Sequence, residues 1–300
     1  FEGGTLKHFR AVLSPVGQRR RVVEYGATTV QMGTGKSRDT GADRFGCICA
    51  VGPTTLFSKA EWREWQRKRG WGTQLSVSGR YHVNQALESK YVLAKQNLGS
   101  GMSGPVRLAY GKAGTAIARR QFAVKTFKTH GRIRLEKVTN EVKIFLSVDH
   151  PNIARLEDVF ELDTEIHLVM ERLGGGELFT RVANRGAYTE SAAVDACQAM
   201  FGAVAYLHSL KPPIVHRDLK PENFLYEKQD SNKLKLIDFG LSTYWDYQKQ
   251  PGMSEFCGSQ SYMAPEVAST QPYTEKCDIF SLGVVTYVLL TGHPPFLVST

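Results

Sequence analysis

The chain has 300 residues, 42% of them apolar, with a formal charge of +9 at neutral pH. That length exceeds one ordinary core and suits a two-lobed protein or two domains. No apolar run approaches the ~18 residues a membrane span needs; the longest, residues 279–290, contains Ser281, Gly283 and Thr286 and reads as a buried helix. The cysteines, Cys47, Cys49, Cys197, Cys257 and Cys277, are odd in number and form no C-x-x-C pair. They argue against a disulfide framework or a zinc site and for a reducing, cytoplasmic setting. Residues 1–80 carry 14 Lys and Arg against 6 Asp and Glu, and residues 81–300 carry 24 against 23. The basic charge therefore belongs to the amino-terminal segment. The chain opens on Phe1 without a signal pattern, so a start further upstream is expected.

In residues 1–80, Gly-rich basic stretches alternate with short β-prone runs at 21–25 and 47–51, poor material for an independent core. Gly33-Thr34-Gly35-Lys36-Ser37 resembles the end of a P-loop, but the first glycine of that motif would fall at Val30, and no apolar strand leads in. Ser58-Lys59-Ala60-Glu61 is a capping box that predicts a helix to about residue 69. On it Trp62 and Trp65 share a face, and Lys59, Arg63, Arg67, Lys68 and Arg69 make the remainder basic. A strand followed by such a helix is weakly similar to the closing elements of a pleckstrin-homology domain. The helix suits packing on neighbouring strands, or contact with anionic membrane lipid or calmodulin. No nucleic-acid-binding signature accompanies it. Residues 70–80 read as a linker.

Residues 91–98 read as a strand leading into Leu98-Gly99-Ser100-Gly101-Met102-Ser103-Gly104-Pro105-Val106. The G-x-G-x-x-G spacing alone also fits a dinucleotide site, but there the loop should open a helix. Here Val106, Leu108 and Tyr110 alternate with Arg107 and Ala109, a strand pattern. A glycine hairpin can fold closely over phosphates and turn backbone N–H groups toward them. Phe122-Ala123-Val124-Lys125 is a further strand, ending in a cation. Residues 135–147 form a helical pattern with Val138, Val142 and Phe145 on its apolar face and Glu141 beside them, Glu136 being a second acidic candidate to orient Lys125. Residues 154–161 and 165–170 read as two strands about an acidic turn. Gly174-Gly175-Gly176-Glu177 then opens a helix, and residues 189–210 form a longer one with Ala193, Val194, Cys197, Phe201, Val204 and Leu207 at three- and four-residue steps.

That helix delivers the chain into His216-Arg217-Asp218-Leu219-Lys220-Pro221-Glu222-Asn223, followed by Asp238-Phe239-Gly240. The two loops carry what phosphoryl transfer requires. Asp218 can accept the proton of an attacking hydroxyl, Lys220 can neutralise the moving phosphoryl group, and Asn223 and Asp238 can hold Mg²⁺ against nucleotide phosphates.

From these motifs, residues 90–300 resemble a eukaryotic protein kinase, and Lys220 favours a Ser/Thr kinase. The resemblance implies an α+β two-lobed fold, with a β-rich lobe over 91–173 and a mainly helical lobe over 174–300 that would continue for further helices. It implies ATP and Mg²⁺, with Lys125 on the phosphates and Glu141 orienting it. Leu98, Gly99, Ser100, Gly101, Met102, Ser103, Gly104, Val106 and Ala123 would line the nucleotide, Met170 the back of the adenine pocket, and residues 171–173, including Glu171 and Leu173, the hinge. Glu177 and Glu222 match positions that in basophilic kinases face an arginine three residues before the acceptor hydroxyl. His216 would be structural, beneath Phe239, and Asp278 would anchor the catalytic loop backbone. Ser259 stands where the family usually has threonine near the substrate hydroxyl. Arg217 implies an anion on the segment between Asp238 and Ala264-Pro265-Glu266: phosphorylated Thr243, Ser254 or Ser259, or the carboxylate of Glu255.

Pro221-Glu222-Asn223-Phe224-Leu225, residues 235–242, and Leu290-Thr291-Gly292-His293-Pro294-Pro295-Phe296 are most similar to calcium-dependent protein kinases and their calmodulin-dependent relatives. This implies calcium control through EF-hands or calmodulin, alongside protein substrates with basic residues before the Ser or Thr, although no D-x-[DN]-x-[DN]-G loop occurs in the chain. The rival readings are a non-catalytic scaffold with this fold, and a calcium-independent kinase localised to membranes by its basic segment.

Overall fold

The computed structural model describes residues 79–101, 104–128, 132–185 and 188–296. The β-prone runs at 21–25 and 47–51, the helix expected at 58–69, and Met102 and Ser103 lie outside the described residues. The upper lobe contains β1 (Tyr81–Val83), β2 (Tyr91–Gly101), β3 (Gly104–Gly111), β4 (Gln121–Lys128), α1 (Arg132–Ser147), β5 (Leu156–Glu161) and β6 (Glu165–Glu171). The strands form one sheet in the order β1-β5-β6-β4-β3-β2, in which β1 runs parallel to β5 and every other pair is antiparallel. No periodicity flags β1, because three residues are too few for an alternation to show.

The two sheet faces differ. Phe122 and Val124 of β4 join Leu87, Tyr91, Ala109, Phe160 and Val169 in a closed apolar cluster on one side. Ala123, Lys125 and Phe127 take the other side, where Ala123 stands opposite Leu108 and Met170, and Lys125 opposite Val106 and Leu168. The expected strand at 106–110 is present, but its burial is not a simple alternation. Ala109 is fully buried and Tyr110 is exposed, because both faces are covered at the centre of the sheet and open toward the strand end.

The lower lobe holds α2 (Leu178–Arg185), α3 (Glu190–Ser209), β7 (Ile214–Val215), β8 (Phe224–Tyr226), β9 (Leu234–Leu236), β10 (Thr243–Tyr244), α4 (Pro265–Ala268) and α5 (Lys276–Thr291). β8 pairs with β9, and β7 with β10, as antiparallel ladders that fix the ends of the loops between them. Thr189 caps α3 by accepting a hydrogen bond from the Ala192 N–H, 3.3 Å. The buried stripe of α3 is Ala193, Ala196, Met200, Ala203, Val204 and Leu207. Val194 and Phe201, counted by periodicity with this stripe, are 48% and 39% exposed. Each follows a buried position by one residue, and the 100° step per residue carries it to the flank. The run at 279–290 is helical as expected. It is not buried all round, since Ile279, Tyr287 and Leu290 are exposed among the described residues.

One apolar cluster crosses both lobes. It runs from Phe127, Ile166 and Leu168 through Phe145 and Phe239 to Val204, Leu207 and Leu282. Among the described residues no helix is long and apolar enough to cross a membrane. Replacing Leu207, which has no exposed surface, by alanine is expected to cost about 2–5 kcal/mol. Phe201→Ala should cost distinctly less; chemical denaturation of the two variants side by side would show the order, and equal losses would contradict this helix orientation.

Candidate active site

Lys125 sits on β4 opposite Val106, the strand residue just past the glycine hairpin, and so lies under that hairpin. Its side chain is 6% exposed, and its Nζ is 2.7 Å from Glu141 Oε1 and 2.8 Å from Asp238 Oδ1. Burial alone would lower the ammonium pKa, but the Glu141 and Asp238 carboxylates outweigh it and hold the pKa above its usual value. Burial also acts against the Asp238 carboxylate, and Lys125 with the Gly240 N–H overcomes it, keeping the carboxyl below the usual aspartate range. The site therefore holds a charged lysine and an ionised aspartate at neutral pH. Glu136 is exposed, and Glu141 is the carboxylate that meets Lys125.

The glycine hairpin pairs Gly99 with Val106 and Gly101 with Gly104, after a β-bulge between Asn97 and Gly99. Gly104 has φ +131°, a conformation L side chains rarely adopt. No atom lies within 4 Å of where a Cβ on Gly99 would stand, leaving room beside the hairpin. Leu98 is exposed, while Val106, Ala123, Met170 and Leu173 are half-buried. The Glu171 carboxylate accepts from Lys235 Nζ, 2.5 Å, and from the Arg155 N–H, 2.7 Å.

The loop at residues 216–223 hangs from one buried carboxylate. Asp278, with no exposed surface, accepts the N–H groups of His216 and Arg217, each at 2.8 Å, and lies 2.9 Å from His208 Nε2. His216 is buried against Phe239, ring centroids 5.6 Å apart. Burial lowers its pKa despite Asp278, Asp218 and Asp238, so the imidazole is neutral and structural. Phe239 also meets Phe145 of α1 edge-on at 4.9 Å, and this docking turns the neighbouring Asp238 toward Lys125. Arg217 and Asp238 both adopt left-handed backbone conformations, φ 68° and 65°, held by these contacts.

Asp218 meets Lys220 Nζ at 2.9 Å and accepts from Ser259 Oγ at 2.7 Å, while Lys220 donates to the same hydroxyl at 2.8 Å. Asn223 donates its amide N–H₂ to the Asp218 carbonyl, 2.7 Å, which leaves its amide oxygen available as an acceptor. An amide oxygen and an ionised carboxylate are hard donors of the kind Mg²⁺ takes alongside phosphates. Among the described residues no group of three or more His, Cys, Asp or Glu side chains makes a self-contained metal cage. Glu177 and Glu222 are exposed, and partial desolvation of the Glu177 carboxyl followed by repulsion from Glu222 raises its pKa.

Arg217 stands 3.0 Å from the carboxylate of Glu255, one of the four candidate anions. Arg217 also donates to the Leu241 carbonyl, 2.7 Å. The engagement of Ser259 with Asp218 and Lys220 could be suspected from its position. The Lys235–Glu171 and His208–Asp278 contacts join residues 64 and 70 positions apart with no motif to flag them.

The chain matches the protein kinase domain family model over residues 92–300. It is 39% identical over 213 residues to a calcium/calmodulin-dependent protein kinase type 1 of Macrobrachium nipponense, covering 70% of this chain and 59% of that protein. It is 41% identical over 203 residues to the human type 1B enzyme, covering 67% and 57%. With a probable myosin light chain kinase of Dictyostelium discoideum it shares 39% identity over 218 residues, 71% and 65% of the two chains. It thus spans less than two thirds of the length of these relatives.

Gly258 has φ +112°, and a Cβ there would lie 2.6 Å from the Arg217 carbonyl oxygen. Gly258→Ala is therefore expected to undock the segment at a cost of about 1–3 kcal/mol. Limited proteolysis within residues 246–262 should accelerate, and more so than in Glu255→Gln, whose ion pair is half exposed. Unchanged cleavage of the alanine variant would refute the close approach.

Proposed function

Since this chain belongs to the protein kinase family, we propose that it transfers the γ-phosphoryl group of ATP to serine or threonine hydroxyls of protein substrates. The observation that carries this is the Lys125 ammonium held between Glu141 and Asp238. A scaffold with this fold has no need of a buried cation between two carboxylates facing a glycine hairpin. Bound Mg-ATP supplies the phosphoryl group and the metal charge that offsets it. Lys125 and the hairpin backbone hold the phosphates, Asn223 and Asp238 hold the metal, and residues 171–173 meet the adenine edge.

At the other end, the acceptor hydroxyl gives its proton to the Asp218 carboxylate as its oxygen bonds to phosphorus and the bond to the ADP oxygen breaks. Lys220 neutralises charge on the moving group. Ser259, bonded to both Asp218 and Lys220, fixes the direction in which the carboxylate faces. Asp218→Asn should lower kcat by about 10²–10⁴-fold with little change in ATP affinity. A folded variant with wild-type turnover would sink the mechanism.

The substrate class is read from charge. The electrostatic coupling of Glu177 to Glu222 supports a pocket for a guanidinium three residues before the acceptor. Glu177→Ala is then expected to reduce kcat/KM for an Arg-bearing peptide about tenfold, and far less for its Ala counterpart. The Glu177 pKa lies above the usual 4.5. On acidification from neutrality the arginine preference should therefore fade at a higher pH than an ordinary surface carboxylate allows. An arginine preference indifferent to both changes would discard this pocket.

Calcium control rests on kinship with the calcium/calmodulin-dependent relatives. Peptide phosphorylation that rises with calcium and calmodulin over chelator would support it. Activity equal in the two conditions would leave a calcium-independent kinase.

A further inference from the structure

Residues 79–90 precede the family match, which begins at residue 92, yet they are built into the upper lobe. Arg80 donates to the Leu156 carbonyl, 2.9 Å, and its own carbonyl accepts from the Val159 N–H, 2.7 Å. β1 then pairs in register with β5, Tyr81 opposite Val159 and Val83 opposite Glu161, and the Asn84 N–H closes the ladder on the Glu161 carbonyl at 2.9 Å. The Tyr81 hydroxyl bonds the Glu161 carboxylate. Leu87 seals the outer apolar cluster with no exposed surface, and the His82 ring stacks on Phe160 at 4.6 Å.

The strongest anchor is a charge. Asp158, 1% exposed, receives His82 Nε2 at 2.9 Å, Lys90 Nζ at 2.7 Å and the Tyr91 hydroxyl. A β-bulge between Leu156 and Asp158 re-aims this stretch of β5 relative to β6. A buried carboxylate requires such partners, and every one of them here comes from residues 82–91.

The grip continues into the active site. Arg155, adjacent to the Leu156 held by Arg80, exchanges two hydrogen bonds with Glu171: its N–H to the carboxylate at 2.7 Å, and its carbonyl from the Glu171 N–H at 3.0 Å. Lys235 of β9 clamps the same carboxylate from the lower lobe. Glu171 opens the stretch that meets the adenine edge in the function proposed above, on which the following rests.

We propose that residues 79–90 are a positioning strap for the nucleotide hinge. By fixing the first half of β5 they set Arg155, and through it the backbone at Glu171, so that a change in the strap alters ATP affinity without touching the phosphate-transfer groups. The class of effect is ground-state binding of the nucleotide, distinct from the chemistry at Asp218.

The test uses the full chain carrying Asp158→Asn, Arg80→Ala or Tyr81→Phe. Hydrogen exchange is followed in peptides covering residues 79–90, 156–161 and 168–175, and KM for ATP and kcat are measured separately. The strap predicts exchange at 168–175 faster by about threefold or more, and KM for ATP raised by a similar factor with kcat held within about twofold. Exchange changes confined to 79–90 and 156–161 with KM unchanged would overturn it, since that is what a purely local structural role gives. Should Asp158→Asn fail to fold, Tyr81→Phe, which removes only a hydroxyl, and Arg80→Ala, which removes the side-chain bond to the Leu156 carbonyl, carry the test. In a chain without phosphotransfer activity, hinge exchange alone decides the strap, so its failure is separable from failure of the kinase reading.

Discussion

The Lys125 ammonium, almost wholly buried between Glu141 and Asp238, is the contact on which the two-lobed arrangement depends. Taking a cation out of water is costly unless carboxylates surround it, and here the cation and its two carboxylates come from three separate elements. β4 supplies the lysine, α1 supplies Glu141, and the loop after β9 supplies Asp238. Each partner is in turn set by packing: α1 by Val138, Val142 and Phe145 in the apolar cluster that crosses the lobes, and Asp238 by its neighbour Phe239 against Phe145 and His216. The electrostatics and the core thus specify the same placement of α1 over the sheet.

The lower lobe repeats this logic with the sign reversed. Asp278 is a buried anion satisfied by backbone N–H groups and a histidine, and it holds the loop that bears Asp218 and Asn223. Arg217, next in line, reaches Glu255 and the Leu241 carbonyl, so one side chain joins this loop to two stretches further along the chain. Gly258 lies against the Arg217 carbonyl with no space for a side chain, which brings Ser259 onto Asp218 and Lys220. Two left-handed non-glycine residues, Arg217 and Asp238, occur in this region because the surrounding contacts over-determine their backbones.

Asp158 is a third buried charge, and its partners lie in a stretch ahead of the family match. Burial would raise its carboxyl pKa, and the bonds from His82, Lys90 and Tyr91 more than reverse this. Its folded pKa is therefore below the unfolded one, so its contribution is present above about pH 3.8 and is lost as the pH falls through the depressed value. At neutral pH the anchor is fully charged.

The sequence by itself determined the order of most elements and which residues make up the candidate site. The strand pattern after the glycines, the helix bearing Glu141, and the two loops with Asp218, Lys220, Asn223 and Asp238 are local signals, each contained within one period or one motif. Burial was less legible. Val194 and Phe201 fit the α3 periodicity yet stand exposed, and Ala109 breaks the alternation of β3 yet is fully buried, because a period gives a face but not what covers it. Only the tertiary structure decided that Arg217 reaches Glu255, that Lys235 reaches Glu171, and that residues 79–90 close on Asp158. Those partners are separated by 38, 64 and 68 or more positions, and a charge along the chain carries no mark of which distant opposite charge the packing of the core will bring to it.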